Sequence, residues 1–93
     1  MLLTGEQIRE IEDMAQLFFT IDQIAINTEI DPQEFRDEVE SRQGPAYLAY
    51  ITGWFRGEIP LRKSIAEAAA NGSNPAQQML IQLINNANTI DNR

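Results

Sequence analysis

The chain of 93 residues contains no cysteine and no histidine. Lack of cysteine excludes disulfides and thiolate metal sites. Lack of histidine removes the commonest general base, the commonest metal ligand and the usual switch near neutral pH. Basic side chains are scarce as well: seven Lys and Arg face fourteen Asp and Glu, for a net charge of −7. No apolar run approaches the roughly 18–20 residues of a membrane span. The opening Met1-Leu2-Leu3-Thr4-Gly5-Glu6 has no basic segment ahead of an apolar one, so no signal peptide is expected there. There is no glycine loop to cradle phosphate. Asp22, Glu29 and Asp31 miss the spacing of a calcium loop, which needs a central glycine and a distal glutamate. Adjacent acids such as Glu12-Asp13 and Asp37-Glu38 read as solvated helix faces. The expectation is a cytoplasmic protein that is not an enzyme, with no cofactor, metal, membrane or small-molecule substrate.

What is present is helix punctuation. At 43% hydrophobic residues the chain is sufficient for one small core. Four segments carry the pattern of a capping residue followed three positions later by Glu or Gln: Thr4–Gln7, Thr20–Gln23, Asp31–Glu34 and Asn74–Gln77. Pro32 and Pro75 follow two of these caps, at the first helical position, where a missing N–H costs nothing. Gly44-Pro45 opens a further helix in a similar way. The spacing predicts helices over about 5–17, 21–28, 32–41, 45–70 and 75–86, with residues 89–93 as a frayed tail. Leu48, Ile51, Phe55, Ile65 and Ala69 lie near one stripe of the long fourth helix, and Asn71-Gly72 ends it. Pro60 inside that helix removes a hydrogen bond and clashes with the carbonyl of Arg56, a cost of about 3 kcal/mol. The helix therefore either kinks near Glu58 or breaks there. No strand pattern competes. The fold class is all-α: a bundle of about five helices that contains a helix-turn-helix, arranged as one domain over residues 1–93.

Thr20 to Val39 reads as two short helices around a tight turn, with Ala25 where they cross and Ile24, Ile30 and Phe35 filling the space between. Glu29 stands where the turn glycine is usual, at a cost of roughly 1 kcal/mol in a left-handed conformation. Charge is divided along the chain. Residues 1–45 hold eleven acids against three arginines, whereas residues 46–93 hold four bases against three acids. An acidic helix-turn-helix half (1–43) thus precedes a nearly neutral helical hairpin (45–87) that is the candidate oligomerisation half. The would-be recognition helix, Asp31 to Glu40, has five acids and the single cation Arg36, the wrong sign for neutralising phosphate. Gln33 and Arg36 remain its two residues suited to base edges.

From Thr20 to about Ile84 the sequence resembles the small terminase subunits of tailed phages. Two stretches carry the likeness. One is Phe18-Phe19-Thr20-Ile21-Asp22-Gln23-Ile24-Ala25 leading to Ile30-Asp31-Pro32-Gln33-Glu34-Phe35. The other is the block Ala46-Tyr47, Gly53, Arg56-Gly57, Leu61-Arg62, Ile65, Ala69, Asn71-Gly72 and Asn74-Pro75-Ala76. The resemblance implies a DNA-recognition subunit that assembles as a homo-oligomeric ring, works with a large ATP-driven terminase subunit and acts in the cytoplasm of a bacterial host cell. In such a ring, Arg56, Arg62 and Lys63 repeated from several copies would restore a positive surface for duplex DNA. Tyr47, Tyr50 and Trp54 share one helical face. They read either as core or as an interface, where Tyr and Trp are well suited. Met79 and Leu83 lie on the last helix, whose apolar stripe suits packing against another copy. The alternative reading is an acidic protein-interaction module that docks a basic partner: a phage accessory or regulatory protein, or a DNA mimic.

Overall fold

The computed structural model describes residues 1–91, with side chains through Ala87. The order is α1 (Gly5–Gln16), α2 (Ile21–Asn27), α3 (Pro32–Ser41), α4 (Pro45–Ala70) and α5 (Asn74–Asp91), with no strand among the described residues. The fold is all-α, as expected. The proposed tail at residues 89–93 is helical as far as Asp91, and Asn92 and Arg93 lie outside the described residues.

Local chemistry sets most boundaries. Thr4 and Thr20 form complete capping boxes: each Oγ1 accepts the N–H of Gln7 or Gln23 at 3.0 and 3.1 Å, and each glutamine returns the bond to the threonine N–H. Asp31 makes half of its box, accepting the Glu34 N–H at 3.0 Å, with Pro32 at the start of α3. The cap expected at Asn74 belongs instead to Ser73, whose Oγ accepts the Ala76 N–H at 3.3 Å. The reason lies in how α4 ends. Gly72 takes φ +94°, the Ser73 N–H returns to the Ala68 carbonyl, and Ser73 is thereby delivered to the capping position. Gln77 then turns away from the cap and donates to the Ala69 carbonyl at 3.0 Å.

The chain divides into two compact units, Met1–Glu58 and Ile59–Arg93. The division falls within α4. Pro60 sits inside α4 without interrupting it, so of the two outcomes expected there the break is not found. The boundary between the units lies just ahead of that proline, at Glu58–Ile59.

The first unit holds the core. Ile11 and Ala15 of α1, Ile24 and Ala25 of α2, Ile30 of the turn, Phe35 of α3, and Ala46 and Ala49 of α4 form one buried cluster. Full burial of Ile11, Ile24 and Phe35 contributes about 1.5–3 kcal/mol each. α4 enters this unit by its small face, Ala46, Ala49 and Gly53. Leu48 and Phe55, which helical spacing puts near one apolar stripe, are 59% and 49% exposed. Close approach explains the reversal. A Cβ at Gly53 would strike the Glu12 backbone carbonyl of α1, and one at Gly57 would strike that of Gln16. A helix that packs at backbone distance must present alanine and glycine, which leaves its larger residues outside.

In the second unit the buried hydrophobic residues among those described are Ala69 and Ala76. Ile65, Leu80 and Leu83 are half-buried. Met79, Ile81 and Ile84 are 47–56% exposed.

Candidate nucleic-acid interface

The bihelical geometry is built as the sequence predicts. α2 ends in a Schellman motif: the Ile30 N–H bonds the Ala25 carbonyl at 2.9 Å and the Glu29 N–H bonds the Ile26 carbonyl at 3.3 Å. Glu29 carries φ +60°, so the residue replacing the turn glycine does adopt the left-handed conformation. Phe18 and Arg42, with φ +63° and +58°, do the same after α1 and α3. The turn is held from outside as well. Buried Thr28 donates its hydroxyl to the Ile24 carbonyl at 2.7 Å, and its own carbonyl accepts from Gln7 of α1 at 3.0 Å.

α3 presents a face that is more acidic than its sequence alone suggests. Its one cation, Arg36, donates from Nη2 to Asp22 Oδ1 of α2 at 2.8 Å. Gln33 donates to Asp37 at 2.8 Å. Both residues chosen for reading DNA are thus engaged by carboxylates. Glu34 and Glu40 are exposed and pair with no cation among the described residues. Glu38 belongs to the structure and not to the surface field. Its Oε2 accepts the Ala46 N–H at 2.6 Å at the start of α4, and its carboxylate lies where a Cβ on Gly44 would go. There it meets the unsatisfied amides and the positive end of that helix.

The other three candidate cations divide between the units. Arg56, in the first, donates to Glu12 of α1 at 2.7 Å. Arg62 and Lys63, in the second, are exposed and border an open groove lined by Ala66, Leu80, Leu83, Ile84 and Ala87. Leu83, expected at an interface, lies in this groove, and Met79 is exposed on the same helix. No family model, curated protein or solved structure matches this chain.

The aromatic face of α4 is partly internal. Tyr50 meets Phe35 edge-on at 6.3 Å, which makes it a wall of the core. Trp54 stands edge-on to Phe18 at 5.8 Å and to Phe55 at 5.7 Å and is half-buried, as is Tyr47. The sequence reasoning missed Asp22 and Glu12, the partners that occupy two of the five chosen polar residues. They lie 14 and 44 positions away in sequence, so spacing along the chain held no sign of them.

Proposed function

We propose that this chain is an oligomeric DNA-recognition protein of the small-terminase kind, which engages duplex DNA and assists a large ATP-driven packaging subunit in a bacterial host cell. One observation carries the reading. The same chain holds a complete helix-turn-helix with its own core and a helical hairpin whose buried hydrophobic residues, among those described, are Ala69 and Ala76, with an apolar groove edged by Arg62 and Lys63. An uncovered apolar face of that kind is suited to another protein surface, and a second copy is the simplest source. Repetition of Arg62 and Lys63 around such an assembly adds positive charge to the contacts of the helix-turn-helix, whose α3 is acidic. The test is the mass of the full chain in solution together with a mobility-shift series on a short mixed-sequence duplex. The expected result is a multiple of the chain mass and a shift that weakens steeply as salt rises. A monomer that shifts no duplex even at low salt overturns the proposal.

A second reading is favoured by the engagement of Arg36 and Gln33, which leaves Glu34, Asp37 and Glu40 as exposed charges of α3 with no cation among the described residues. An acidic module that binds a basic protein, as a phage accessory or regulatory protein or a DNA mimic, would use that face. It calls for capture of a basic protein partner with no duplex shift at any salt.

A further inference from the structure

The Arg36–Asp22 pair is poorly explained by stability. It is 2.8 Å long, with side chains 40% and 58% exposed, and an exposed pair of this kind contributes little to stability. The two helices it spans are already fixed by Ile24, Ala25, Ile30 and Phe35 in the core. The pair does have one chemical consequence. Arg36 is the only cation of α3, and a guanidinium that holds a carboxylate oxygen is the same group that would hold a phosphate oxygen. Asp22, held by Nη2, and a DNA phosphate therefore compete for the charge of one guanidinium.

Resting on the DNA-recognition reading above, we infer that Asp22 is an internal competitor that masks Arg36 and sets the affinity of the helix-turn-helix for duplex DNA. The free protein holds Arg36 on Asp22. Productive binding exchanges that carboxylate for phosphate, so part of the gain at each contact offsets the lost pair. Gln33, held by Asp37 at 2.8 Å, follows the same pattern with a neutral donor. Such a device lowers indiscriminate binding without removing the residue that makes the contact.

The experiment is a double-mutant cycle on the full chain: wild type, Asp22→Asn, Arg36→Gln and the double variant, titrated against a short mixed-sequence duplex over a salt series. Circular dichroism checks helix content, and Asp22→Ser repeats the measurement with a second side chain. Asp22→Asn is expected to bind about two- to fivefold more tightly at low salt, the equivalent of one exposed ion pair no longer given up on binding. Arg36→Gln alone changes binding less than about twofold, because the phosphate contact it removes is offset by the Asp22 pair that no longer has to be given up. In the double variant the gain disappears. A gain that survives in the Arg36→Gln background is mere removal of negative charge and overturns the inference, while DNA recognition stands. Unchanged binding by Asp22→Asn has the same meaning. If neither wild type nor Asp22→Asn binds the duplex, the inference and the DNA reading fall together. If only Asp22→Asn binds, masking is supported and DNA binding by the unmodified chain is not.

Discussion

The two units of this chain are made from the same helical material and differ in how far each completes a core. Met1–Glu58 draws side chains from α1, α2, the turn, α3 and the start of α4 around Phe35, so that whole isoleucines vanish from solvent. Ile59–Arg93 has the end of one helix and all of another, and its buried hydrophobic side chains among the described residues are alanines. Apolar content alone does not decide burial. Ile81, Ile84 and Met79 are as apolar as Ile11 or Ile24, yet a two-helix hairpin has only one inner seam and leaves its other faces open. The first unit is therefore expected to fold on its own account, and the second to gain stability from what binds it.

Four measurements break or sharpen this contrast. The largest effect belongs to Phe35→Ala, which should cost about 3–5 kcal/mol in denaturant melts and abolish the cooperative transition of the first unit. Gly53→Ala comes next. The added methyl meets the Glu12 backbone, so a loss of about 1–3 kcal/mol is expected even though alanine is the better helix former. A rise in melting temperature would mean that α1 and α4 are not packed at backbone distance. Leu83→Lys puts a charge in the groove of the second unit. Wild-type melting should depend on protein concentration, and the variant should lose that dependence while keeping the first unit's transition. Concentration-independent melting of the wild type would leave the open groove without a second copy to fill it. The smallest effect has the opposite sign. Glu29→Gly relieves a left-handed glutamate and should stabilise the first unit by about 0.5–1 kcal/mol.

Legibility followed the range of each interaction. Thr4 and Thr20 reach donors three residues away, so their boxes are visible in sequence, and the left-handed Glu29 follows from the shape of the turn between two capped helices. Ser73 was missed because its capping role comes from the exit path of α4, which Gly72 directs, while the apparent motif at Asn74 lies one residue further on. The inner face of α4 was misread for a tertiary reason. Helical spacing puts Leu48 and Phe55 on one apolar stripe, but the proximity of the α1 backbone reserves the buried face for Ala46, Ala49 and Gly53. The candidate site fared likewise. The carboxylates that hold Arg36 and Arg56 come from other helices and have no sequence signature.

Glu38 gives the acidic helix an unequal tolerance for redesign. Glu34, Asp37 and Glu40 face solvent, so their charges can be removed or reversed to convert α3 into a basic surface while the chain keeps its path. The carboxylate at 38 fills the space over Gly44 and receives the first turn of α4. Repainting the whole helix without sparing that position would cut the seam between the helix-turn-helix and the helix that follows it.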